Sequence, residues 1–96
     1  MRAVGNIMWC RPAPNPFNGA TRFAYLLPRA SDARITVYDA NGRAVRTLVN
    51  GQMPAGEHSA TWNGRDDNGR VCSPGVYFYD FVTGEGKYTG KALLLK

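Results

Sequence analysis

One histidine, two cysteines and a pair of adjacent aspartates are the residues of this 96-residue chain whose chemistry could go beyond packing. Catalysis needs an acid, a base or a nucleophile converging on one point. His58 stands in Glu57-His58-Ser59-Ala60-Thr61-Trp62, where polar and apolar residues alternate and His58, Ala60 and Trp62 share a face. A histidine there is expected at the edge of a core, not as a general base. The chain has no Gly-x-Ser-x-Gly, no His-Glu-x-x-His and no phosphate-binding glycine loop. No enzymatic activity and no small-molecule substrate are expected. Asp66, Asp67 and Asn68 offer clustered oxygen ligands of the kind calcium takes, but their spacing is not that of an EF-hand. The same residue types bond to their own backbone in Asx turns, and that use is expected here, with no metal or cofactor. Cys10 and Cys72 fit no close-spaced metal motif. Disulfide bonding is one reading of them; two free, small apolar side chains is the preferred one. Tyr38 and Phe78 could form a carbohydrate platform, but cross-strand packing is the expected role.

These residues need a scaffold, and composition points to its class. An apolar fraction of 44% against 20% charged residues is that of a globular domain, which excludes a disordered chain. Residues 1–96 are expected to form a single domain. Eleven glycines and six prolines suit short strands and tight turns better than helices. The net charge of +5 is scattered, with no run of three basic residues, whereas nucleic-acid binding wants a patch or stripe. No nucleic-acid partner is expected. No eighteen-residue apolar run is present, so no membrane insertion is expected. Met1 to Trp9 lacks the apolar segment of a signal peptide, so any signal peptide is expected to lie outside this chain.

The longest β-branched and aromatic run is Gly75-Val76-Tyr77-Phe78-Tyr79-Asp80-Phe81-Val82-Thr83, bounded by Pro74-Gly75 and Gly84. Asp80 marks the outer face, so Tyr77, Tyr79 and Phe81 are expected to lie over the core of a sheet's central strand, with Trp62, Ile35 and Val37. The other expected strands are Gly5–Cys10 at an edge, Thr21–Leu27, Arg34–Asp39, Arg43–Val49, Glu57–Trp62, a short Arg70–Cys72 and Lys87–Lys96. Arg11 to Gly19 carries prolines at 12, 14 and 16 and reads as an extended crossing segment, with Phe17 plugging it into the core. Asp39-Ala40-Asn41-Gly42 is a turn, Met53–Gly56 a loop and Gly84-Glu85-Gly86 a hairpin tip. Five Asn-Gly pairs, starting at Asn18, Asn41, Asn50, Asn63 and Asn68, each predict a turn. About seven short strands at this spacing predict an all-β antiparallel sandwich or barrel.

Taken in order, Pro14-Asn15-Pro16-Phe17-Asn18, Tyr25-Leu26-Leu27-Pro28, Val37-Tyr38-Asp39 with Gly42-Arg43, Leu48, Ala55-Gly56, Trp62-Asn63-Gly64, Asp67-Asn68-Gly69, Gly75-Val76-Tyr77-Phe78-Tyr79 and Lys91-Ala92-Leu93-Leu94-Leu95-Lys96 form a recognisable pattern. It resembles the immunoglobulin-like domain shared by the flagellar hook-capping protein FlgD and the C-terminal sorting domains of type IX secretion cargo, over about residues 12–96. The resemblance implies an immunoglobulin-like sandwich of about seven strands, with Asn15, Pro16, Phe17, Gly42, Gly56, Trp62, Gly64, Gly69, Gly75 and Tyr77 as structural motif residues. It implies no enzyme. It implies a sorting and attachment signal for a larger exported protein, read by the secretion translocon, at the cell surface or outside a Gram-negative bacterium by way of the periplasm. Lys91, Ala92, Leu93, Leu94, Leu95 and Lys96 match the basic–apolar–basic ending of such domains and are the expected signal. The alternative it implies is a structural module that packs against neighbouring domains or subunits, as in the hook cap. Asn63 stands where the family commonly has Asp, and Pro74 where a small residue is usual; neither breaks a turn. A sorting domain alone has no cargo, so the chain is expected to be part of a longer protein. The final strand is expected to offer an open edge to a partner.

Overall fold

The computed structural model describes residues 7–96. Its strands are β1 Trp9–Ala13, β2 Thr21–Leu27, β3 Ser31–Tyr38, β4 Ala44–Met53, β5 Gly56–Trp62, β6 Gly75–Thr83 and β7 Gly86–Leu94. They form two antiparallel sheets, one in the order β1-β2-β5 and one in the order β4-β3-β6-β7. The fold is the all-β immunoglobulin-like sandwich expected, and β6 lies internally, between β3 and β7.

Alternation along each strand decides which side chains enter the core. From the four-stranded sheet come Ile35, Val37, Tyr77, Tyr79, Phe81, Ala92 and Leu94; from the other come Cys10, Phe23, Tyr25, Leu27 and Trp62. Aromatic rings meet across the gap. Phe23 stands edge-on to Tyr79 at 5.0 Å, Tyr25 is tilted against Phe81 at 5.3 Å, and Trp62 is edge-on to Tyr77 at 5.2 Å. Each such pair adds about 0.5–1.5 kcal/mol beyond the area it buries. The two phenols of β6 are satisfied at the end of the sandwich and across it: the Tyr77 hydroxyl donates to the Ser73 carbonyl at 2.6 Å and the Tyr79 hydroxyl to the Cys10 carbonyl at 2.6 Å. Tyr79 pairs with Gly90 in the β6–β7 register, and its phenol occupies the space a Cβ at Gly90 would need.

Several sequence expectations are corrected. The first strand runs Trp9–Ala13, not Gly5–Cys10; Gly5 and Asn6 lie outside the described residues. It passes through Pro12, which an edge strand tolerates because the missing donor can face away from its one partner. Asn50-Gly51 does not end the fourth strand. Both residues pair with β3 as Arg34↔Asn50 and Ala33↔Gly51, and β4 continues to Met53. Sheet pairing overrides the turn preference of this one Asn-Gly pair. The other four pairs behave as expected, with positive φ at Gly19, Gly42, Gly64 and Gly69. Gly42 illustrates why: its φ of 85° closes the turn that the Asp39 side chain caps by accepting the Asn41 and Arg43 amides. Only Pro54 and Ala55 lie between β4 and β5. Arg70–Cys72 is no strand; Val71 makes a single bridge to Arg65. The last strand ends at Leu94, two residues early.

Candidate functional site

The six-residue tail begins inside β7. Ala92 and Leu94 face the core at 1% and 2% exposure, while Lys91 is exposed and Leu93 half-buried on the outer face. Leu95 and Lys96 follow as exposed residues beyond the strand. β7 is the outermost strand of its sheet, yet its edge is not open along this stretch. The Asn15 side-chain amide donates to the Lys91 carbonyl at 3.0 Å, and its oxygen accepts the Leu93 amide at 2.8 Å. One side chain thus reproduces the donor and acceptor of a neighbouring strand. The backbone then takes over: the Phe17 amide donates to the Leu93 carbonyl at 2.9 Å, the Leu95 amide to the Phe17 carbonyl at 2.8 Å, and the Gly19 amide to the Lys96 carbonyl at 3.0 Å. The expected open edge is corrected accordingly: from Lys91 onwards it is occupied by the chain's own Asn15–Gly19 segment.

The local sequence explains how that segment reaches its place. Pro14 and Pro16 have no amide to donate, and the segment leaves the ladder of β1 and β2 to meet β7 through Asn15, Phe17 and Gly19. The Ala13–Pro14 and Asn15–Pro16 peptide bonds are cis. Thr21 donates through its hydroxyl to the Pro14 carbonyl at 2.6 Å. Phe17, 1% exposed, inserts beside Trp62 with ring centroids 5.5 Å apart. The Trp62 indole donates to the Arg65 carbonyl at 2.9 Å, which pins the 63–69 loop. Gly64 has a φ of 74°, and a Cβ there would meet the Gly19 carbonyl at 3.1 Å. Asn15, Pro16, Phe17, Trp62, Gly64, Gly75 and Tyr77 therefore gather around the tail at one end of the sandwich. Gly42 and Gly69 lie in turns towards the same end, whereas Gly56 opens β5 at the opposite end, opposite Leu27.

The other edge of the same sheet is closed in a similar way by a residue that sequence reasoning left outside the site. The Asp67 amide donates to the Val45 carbonyl at 2.9 Å, and its carboxylate accepts the Thr47 amide at 3.2 Å. The carboxylate lies 3.8 Å from the Arg46 guanidinium. Asp66 accepts the amides of Asn68 and Arg70, both at 2.9 Å. The aspartates are thus engaged by backbone donors, and among the described residues no group of three or more His, Cys, Asp or Glu could hold a metal ion. The sequence marks Asp67 twice, in the acidic Asp66-Asp67-Asn68 cluster and in the Asp67-Asn68-Gly69 motif, but neither names β4 as its partner.

The remaining candidates for chemistry are placed as follows. His58 has Nε2 2.8 Å from the Pro54 carbonyl and stacks on Tyr25 at 5.3 Å, so its ring is committed to the β5 face. Cys10 is fully buried and Cys72 half-buried, and both thiols are free. Burial pushes the Cys10 thiol up to about 12 and raises Cys72 as well. Tyr38 is half-buried and donates to Asp80 at 3.1 Å, whereas Phe78 is 43% exposed. No helix of the described residues is long and apolar enough to cross a membrane.

The FlgD Ig-like domain model matches residues 14–89. The basal-body rod modification protein FlgD of Salmonella typhimurium is 38% identical over 58 residues, which is 59% of this chain and 25% of that protein. The chain thus spans about a quarter of the length of that curated relative. Among solved structures, FlgD from P. aeruginosa has a TM-score of 0.62 at 31% identity, covering 77% of this chain and 60% of that one. Dimeric latent PorU from Porphyromonas gingivalis has a TM-score of 0.76 at 17% identity, over 93% of this chain and 9% of that one. PorZ from the same organism, an essential bacterial surface component of the type IX secretion system, has a TM-score of 0.63 at 15% identity, over 91% and 11%. At these identities the two Porphyromonas proteins share the fold.

Proposed function

Because the chain belongs to the FlgD Ig-like domain family, we propose that it works as a non-catalytic sorting and attachment signal, through which a larger protein is exported by a type IX secretion system. The observation that carries this reading is the form of the tail. Ala92 and Leu94 anchor it, the Asn15–Gly19 segment holds it in place, and Lys91, Leu93, Leu95 and Lys96 are left towards solvent. A receptor would meet a fixed, folded display. The fold is shared with PorZ, a surface component of that secretion system, which is consistent with the reading. The partner is then the translocon, and the destination is the cell surface or the exterior by way of the periplasm. The test fuses a reporter upstream of the domain in a type IX-competent host. Lys96→Ala should lower extracellular reporter while circular dichroism of the purified domain stays unchanged. Equal export from the intact domain and from Lys96→Ala would sink the reading.

A second reading has its own support, the 31% identity to P. aeruginosa FlgD and the 38% identity to the Salmonella protein. In it the domain is a structural module that packs against neighbouring domains or subunits of a flagellar assembly. Grafting residues 12–96 in place of the corresponding domain of Salmonella FlgD tests it: restored motility favours packing, and its absence counts against it.

A further inference from the structure

The outer face of the four-stranded sheet carries an apolar patch at the end where β7 is sealed. The register puts Val76 opposite Leu93 and sets Phe78 between Tyr38 and Lys91. Val76 and Phe78 are each 43% exposed, and Leu95 is 49% exposed. Pro16 closes one side of a shallow groove of ≈ 310 Å³ with Val76, Lys91 and Leu93. Contiguous exposed apolar groups mark interaction sites more often than isolated ones do. The ion pairs of the described residues are Arg29–Glu85, Arg43–Asp39 and Arg46–Asp67, so neither Lys91 nor Lys96 has an acidic partner among them.

We infer that this face docks a protein surface presenting an apolar side chain flanked by carboxylates. The apolar side chain fills the groove over Val76 and Leu93, and the carboxylates meet Lys91 and Lys96. Charge argues against a second copy of this chain, because two such faces would bring lysine to lysine. Shape argues against a membrane, because a concave groove selects a protruding group over a flat layer. If the sorting reading holds, on which only the partner's identity rests, this is where the export receptor grips the domain. The strand is then read by its outward face, since its edge is already filled.

Amide NMR titration of the 96-residue chain decides the matter. The probe is a synthetic peptide with one leucine between glutamates, compared with the same peptide carrying lysines. We expect saturable shifts confined to Val76, Phe78, Lys91, Leu93, Leu95 and Lys96, for the acidic peptide alone. Lys91→Glu with Lys96→Glu should weaken it about tenfold or more and let the lysine peptide bind instead, as reversed rim charges do. No saturable shifts, shifts elsewhere, or equal binding of both peptides would overturn the inference. So would binding to phosphatidylglycerol vesicles, or a dimer in sedimentation, that Val76→Asp abolishes, since each assigns the patch to another occupant. Export separates this from the function proposed above. Export lost in Lys96→Ala but kept in Val76→Asp overturns the export receptor as the occupant of this face and leaves sorting intact. Export indifferent to both, with acidic-peptide binding retained, sinks sorting and leaves the docking face standing.

Discussion

Gly90 and Gly51 both sit within strands, yet substitution should move them in opposite directions. At Gly90 a Cβ would collide with the Tyr79 phenol, whose hydroxyl is held on the Cys10 carbonyl. Gly90→Ala should cost about 1–3 kcal/mol, as overpacking does. Gly51 has open space and no positive φ. Gly51→Ala should be neutral or stabilise by about 0.4–1 kcal/mol, by restricting the unfolded chain. Denaturant melts of the two variants check both; a destabilised Gly51→Ala would restore the turn that Asn50-Gly51 first implied. The thiols separate in the same way. Folded Cys10, buried with its pKa pushed up to about 12, should react with a thiol reagent only through global unfolding, and half-buried Cys72 through smaller openings. The sign of the pH effect follows. Folding raises the Cys10 pKa above its ordinary 9.0, so this contribution is full below that value and lost as pH rises from there towards about 12. Denaturant midpoints measured through that window should fall more steeply for the native chain than for Cys10→Ala.

At the scale of the element, β6 carries the clearest contrast, because its two faces meet different surroundings. Tyr77 is 6% exposed, edge-on to Trp62, with its hydroxyl satisfied by Ser73. Tyr77→Ala should cost roughly 3–5 kcal/mol. Phe78→Ala, one residue on and 43% exposed, should cost less than about 1 kcal/mol. Chevron or equilibrium melts that reverse this order would mean the strand faces are reversed. This face assignment was legible from the sequence because a single charge, Asp80, fixed the parity of a nine-residue run. Boundaries were less legible. β4 runs through an Asn-Gly pair because β3 offers it a partner, and Arg70–Cys72 fails as a strand because Val71 bridges only Arg65. Pairing partners decided both cases, and local composition does not name partners.

For the whole molecule, the motif and the tail were each legible, but their union was not. Nothing in the spacing of Asn15 and Leu93 says that one caps the other across 78 positions. That contact changes what truncation does. Removing Leu94 to Lys96 deletes a core side chain at 2% exposure and takes the Leu95 amide from the Phe17 carbonyl and the Lys96 carbonyl from the Gly19 amide, leaving only the Phe17 amide bonded to Leu93. The truncated chain should lose about 2–5 kcal/mol, the range for a buried leucine alone. Thermal melts would show it. A truncated chain as stable as the intact one would mean that the seal contributes nothing.

The seal also sets an order in time. Asn15 and Phe17 leave the ribosome long before Lys91 and Leu93, since chains emerge from the N-terminus at about 5–20 residues per second. For several seconds the nascent domain holds its first crossing segment without the strand it must grip. Closure waits for residues 91–96, so a chain stalled or cut before Lys91 carries an unlatched sandwich, and a protease has that interval in which to recognise it.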